Sequence, residues 1–66
     1  MTTPRYVVET QRSTLFGHYL WVQDTIEGDV EDGQRYFTDR PLSPCDPAMQ
    51  YVSGRARYHN EQEDAR

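Results

Sequence analysis

The chain has 66 residues, with eleven acids against seven bases, a net charge of −4 and a single cysteine. That length allows one small domain, and a lone cysteine excludes an internal disulfide. The longest uncharged run, Ser13 to Gln23, falls well short of the ~20 residues that cross a bilayer, and an acidic chain without a basic block is poorly suited to direct contact with nucleic acid.

Tyr6 to Gln11 is rich in β-branched and aromatic residues and predicts a first strand. Ser13, Thr14 and Gly17 then mark a break in regular structure. His18 to Ile26 predicts a second strand, with Tyr19, Trp21, Gln23 and Thr25 on one face and His18, Leu20, Val22, Asp24 and Ile26 on the other. Both faces begin apolar, which places this strand in the middle of the sheet. Glu27 to Gly33 carries two glycines among turn-forming acids and predicts a turn. Gln34 to Thr38 predicts a short third strand with Tyr36 and Phe37 on opposite faces. Such short connections imply an antiparallel meander.

Pro41, Pro44 and Pro47 end strand structure after Arg40. Asp46-Pro47 is a helix start: aspartate caps free N–H groups, and proline is tolerated in the first turn. Ala48, Val52 and Ala56 then recur at helical spacing. Gly54 leaves two readings open, one helix running past it, or a short helix followed by a fourth strand over 55–58. Residues 59–66 are polar and predict a frayed tail. The expected fold is α+β: one domain over 1–66, a three-stranded antiparallel sheet with one C-terminal helix across a face.

Apolar residues make up only 35% of the chain, so the core is thin, although each aromatic can bury ~150–250 Å². Small domains short of core often rely on metals or self-association. His18 and His59 are far apart in sequence and lack the paired short spacing of a zinc site. The acidic turn fails the calcium-loop spacing at every register. Carboxylates in a glycine-flanked turn are solvated and lack the burial that acid–base catalysis needs, and a chain this short has little room for a ligand-sized pocket. Cys45 lies between prolines beside an aspartate, without a base to activate it. We therefore expect no enzymatic activity, no cofactor and no metal.

Two features remain. Between Arg12 and Arg35 the chain has no positive charge, yet it carries Asp24, Glu27, Asp29, Glu31 and Asp32. Tyr19 and Trp21 precede them, and tyrosine and tryptophan are enriched at protein interfaces. The pair serves either as core under the helix or as an exposed anchor. The acids are either solvated surface or a negative array that engages a basic groove.

In size, acidity and the arrangement of Tyr19 and Trp21 ahead of Asp24–Asp32, the chain resembles the small acidic proteins that bacteriophages make against host machinery, anti-CRISPR proteins among them. That resemblance implies a stoichiometric inhibitor in the cytoplasm of a bacterial host cell. Its partner would be a host protein or ribonucleoprotein complex with a basic groove, a CRISPR effector included, bound through the five acids with Tyr19 and Trp21 as anchors. The absence of a secretory h-region after Met1-Thr2-Thr3-Pro4-Arg5 and the lone cysteine agree with that compartment. The alternative is a small self-associating structural or accessory phage protein, in which a homodimer covers the second apolar face of the central strand.

Overall fold

The computed structural model describes residues 4–64. It contains strands β1 (Tyr6–Arg12), β2 (His18–Asp24) and β3 (Tyr36–Thr38) and a helix α1 (Pro47–Asp64), in that order. The sheet is antiparallel with β2 in the centre, as the two apolar faces of that strand require. β1 runs against the whole of β2, from Tyr6 opposite Asp24 to Arg12 opposite His18. β3 pairs only with the other side of His18–Leu20.

The helix lies across one face. Leu20 and Val22 from β2 meet Val52 and Ala56 from α1, and Tyr6, Val8, Tyr36, Leu42, Ala48 and Met49 pack around them. Leu20 and Val52 are fully buried. Asp46 starts the helix: its Oδ1 accepts the Ala48 N–H at 2.9 Å, and its Oδ2 accepts Arg40 Nε at 2.7 Å. The Arg40 guanidinium, followed by the Ala48 N–H, holds the Asp46 carboxyl below its usual range.

β1 runs one residue beyond the expected boundary, to Arg12, and the structure differs in three further places, each with a local cause. β2 stops at Asp24, two residues early, because the Asp24 carboxylate turns back and accepts the N–H groups of Ile26 and Glu27 at 3.0 and 3.1 Å. β3 begins at Tyr36 and not Gln34, since a 3-10 turn at Glu31–Gly33 occupies the preceding chain. The single C-terminal helix is as expected: it passes through Gly54 without a break, and the alternative of a fourth strand over 55–58 does not form. Burial of Val52 on one side and Ala56 on the other carries the helix across the glycine.

The last difference is at 59–64, where fraying was expected and the helix continues to Asp64. Three side chains tether it. Asn60 bonds the backbone of Tyr6, His59 Nε2 lies 2.7 Å from Glu31 Oε1, and Glu63 Oε2 lies 3.2 Å from Arg5 Nη1. Residues 65 and 66 lie outside the described residues.

Gly17 closes the β1–β2 hairpin with φ +84°. A Cβ there would lie 2.5 Å from the Thr38 carbonyl oxygen and 2.6 Å from the Phe37 ring. The position therefore requires glycine both for its left-handed backbone and for close approach of β3.

Candidate functional site

The central strand divides its side chains between two environments. Leu20, Val22 and Asp24 point under the helix and are buried. Tyr19, Trp21 and Gln23 point to the opposite face, which no element of the described residues covers. Across the register, Phe37 lies opposite Tyr19 and Glu9 opposite Trp21. The open face is therefore lined by Val7, Glu9, Tyr19, Trp21, Gln23 and Phe37. Trp21 belongs to this face and not to the helix-covered core.

The aromatics are held in fixed positions. The Tyr19 and Phe37 rings pack tilted, with centroids 5.2 Å apart, and remain 41% and 49% exposed. Trp21 Nε1 donates to Gln23 Oε1 at 2.8 Å, and the Arg35 guanidinium lies 5.1 Å from the indole centroid. Such stacking uses the planar, weakly hydrated guanidinium. At the hairpin tip beside this end of the sheet, Leu15 is 87% exposed and Phe16 65%. Large apolar side chains concentrated at one surface mark an interaction site.

The five acids of the base-free interval meet different fates. Asp24 is buried and takes both arms of Arg5, Nε to Oδ1 at 3.0 Å and Nη2 to Oδ2 at 2.9 Å. That fork, helped by the Glu27 and Ile26 N–H groups, lowers its carboxyl from 3.8 to about 2. Asp24 is thus a structural group beneath the turn and presents no free charge. Glu31 lies 3.2 Å from Arg55 Nη2 and 2.7 Å from His59 Nε2. Asp32, left-handed at φ 60°, is half exposed and shares Arg55. Glu27 is 64% exposed, with Arg5 only at 3.9 Å. Asp29 is exposed; its carbonyl accepts the Asp24 N–H, and its carboxylate has no protein partner among the described residues.

An interval without bases in sequence is therefore supplied with bases in space. Arg5 reaches it from the start of β1, and Arg55 and His59 reach it from the helix. In the turn that follows β2, where Val30 bridges Gln23, Glu27 is exposed with Arg5 at 3.9 Å, and the exposed Asp29 carboxylate has no partner among the described residues. Glu9, Arg35 and Phe37 join the site although sequence reasoning did not single them out. Phe37 was recoverable from pairing parity with Tyr19; Glu9 and Arg35 depended on register.

Glu31, Asp32 and His59 also bring ligand-type atoms within 4.8 Å of one another. Arg55 bonds both carboxylates, so the cluster is an internal ion network with its own cation. A more open concavity than expected lies between the segment 42–44 and α1, about 690 Å³ in volume, with Leu42, Pro44, Met49, Ser53, Gly54 and Arg57 among its walls. Its one ionisable group is Arg57, which leaves its serines without a base to activate them. No helix among the described residues is long and apolar enough to cross a membrane.

No protein family, curated protein or solved structure matches this chain.

Proposed function

We infer that this protein is a non-enzymatic binding module that docks through its open sheet face onto a basic surface of another protein. The observation that carries this reading is the division of β2: the helix covers Leu20 and Val22 and leaves the opposite face with Tyr19 and, from β3, Phe37 exposed and Trp21 partly buried beside Arg35. Fixed, half-exposed aromatics beside arginine are the composition of binding hot spots. Glu9 lies on that face, and with the exposed Glu27 and Asp29 of the turn after β2 its negative charge would steer the protein towards arginine or lysine.

A nucleic-acid-handling complex of a bacterial host, a CRISPR effector included, offers a basic groove of this kind. Occupying the groove would make the protein a stoichiometric inhibitor. The internal pairing of Asp24 and Glu31 shifts the proposed contacts from a negative array of five acids to aromatic anchors with fewer acids beside them. Tyr19, Trp21 and Phe37 would supply most of the affinity; Glu27 and Asp29 would mainly set the association rate.

The test is affinity capture from bacterial lysate, before and after nuclease treatment, with wild-type protein and a Tyr19→Ala, Trp21→Ala double variant. A nucleic-acid-processing complex retained after nuclease and lost with the double variant would support the reading. Equal recovery with both proteins would remove the open face from it.

A further inference from the structure

The two sides of β1 are unequal in their hydrogen bonding. Arg5 receives the Thr25 N–H on its carbonyl at 2.8 Å, and Ser13 donates to the Gly17 carbonyl at 3.0 Å. With the continuous register between these points, Val7, Glu9 and Gln11 turn their backbone groups towards β2, while Tyr6, Val8, Thr10 and Arg12 turn theirs outward. At Tyr6 the outward pair is closed by Asn60, whose Oδ1 accepts the N–H at 2.9 Å and whose Nδ2 donates to the carbonyl at 2.8 Å. At the other end the chain bends into the hairpin. Among the described residues, the outward N–H and C=O groups of Val8, Thr10 and Arg12 have no partner on the sheet edge.

That edge has few of the usual protections. β1 has no proline, lysine or bulge, the devices that keep edge strands from pairing. Residues 9–12 are exposed, so the helix does not cover the edge from below. Its one mid-strand charge, Glu9, governs register more than access.

We propose that the free edge of β1 pairs antiparallel with the same edge of a second copy, about a two-fold axis at Thr10, joining two three-stranded sheets into one. The edge is fully self-complementary in this register; centring on Gln11 pairs only Thr10 with Arg12 and leaves Val8 without a partner. Centred on Thr10, Thr10 faces Thr10 of the second copy and Val8 faces Arg12, so every outward group finds a partner, about six backbone hydrogen bonds in all. Glu9 then lies opposite Gln11, and no like charges meet. Centring on Glu9 sets carboxylate against carboxylate, and centring on Arg12 sets guanidinium against guanidinium, both unfavourable across strands. Centring on Val8 asks for Tyr6, which Asn60 already holds. The length of the free edge, set by Asn60 and the hairpin, thus matches the Thr10 register.

Pairing places the two open aromatic faces on one continuous sheet surface. It needs no contact from Tyr19 or Trp21, so it stands or falls separately from the docking function. The salt dependence also separates the two. Copies that each carry −4 repel, so added salt strengthens self-pairing, whereas it weakens docking on a basic partner.

The test is sedimentation of the 66-residue chain under reducing conditions, in a concentration series reaching about 1 mM. We expect the mass to rise from 7.8 kDa to twice that value. Thr10→Lys, which opposes two ammonium groups on the axis, should weaken dimerisation roughly tenfold or more. Because that variant could fail for reasons of folding, Thr10→Cys in a Cys45→Ser background gives an independent reading. It should oxidise to a covalent dimer faster than Tyr58→Cys in the same background. A wild-type monomer at every concentration would overturn the proposal and leave the edge to a strand from a different protein. A dimer unaffected by Thr10→Lys, or cross-linking no faster at Thr10 than at Tyr58, would overturn it as well.

Discussion

Asn60, in the last turns of the helix, binds both backbone groups of Tyr6 at the start of β1, at 2.9 and 2.8 Å. One amide side chain thereby takes the place of a neighbouring strand and joins chain segments 54 residues apart. The contact closes one end of the sheet edge and anchors a stretch of helix that has no buried apolar residue after Ala56.

Replacing Asn60 with alanine removes both bonds and strands two half-buried backbone groups. We expect a loss of about 2 kcal/mol in urea unfolding. The amide of Tyr6 should lose its protection from hydrogen exchange, while the amide of Val7, bonded to β2, keeps most of its own.

The Arg5–Asp24 fork predicts a specific acid limb. The Asp24 carboxyl is lowered to about 2 in the folded chain, from 3.8. A depressed folded value means that the stabilisation is complete above about pH 4 and drains away as pH falls through about 2. The melting temperature should therefore fall over that window in the wild type. Asp24→Asn should be less stable at pH 7 and show a flatter acid limb, because the group that titrates there is gone.

Adjacent residues on β2 should behave as if from different proteins. Leu20 is fully buried, and Leu20→Ala should cost about 2–5 kcal/mol. A domain of this length holds only a few kcal/mol in total, so that variant should be largely unfolded at 37 °C. Tyr19→Ala, on the open face, should cost about 1 kcal/mol or less. Circular dichroism melts of the two variants compare them directly.

Gly17→Ala faces both a left-handed φ and a Cβ 2.5 Å from the Thr38 carbonyl. Either β3 moves away or the hairpin opens, and we expect a cost of about 2–3 kcal/mol. Gly28 also has positive φ but open space around a new Cβ. Gly28→Ala should cost less, about 1 kcal/mol, which separates backbone strain from steric clash.

Much of the fold was legible because it depends on local rules. Alternation over His18–Asp24 specified a central strand, since side-chain direction flips with each residue. Asp46-Pro47 specified the helix start, since capping acts within one turn. The continuation of the helix over 59–64 was not legible: it is fixed by Asn60 on Tyr6, His59 on Glu31 and Glu63 on Arg5, all long-range contacts. The candidate site divides in the same way. Tyr19 and Trp21 could be assigned to one face, but nothing local says which face a distant helix will cover.

By itself, then, the sequence determined the strand order, the helix start and the pairing of Tyr19 with Trp21 on one side of β2. Only the tertiary structure decided that this side stays open, that Asp24 and Glu31 are consumed by Arg5, Arg55 and His59, and that Val8, Thr10 and Arg12 keep a free edge. The physical reason is range. Side-chain alternation and capping act over a few residues of contiguous chain, whereas burial and charge pairing depend on which distant segments the packed core brings within a few ångströms.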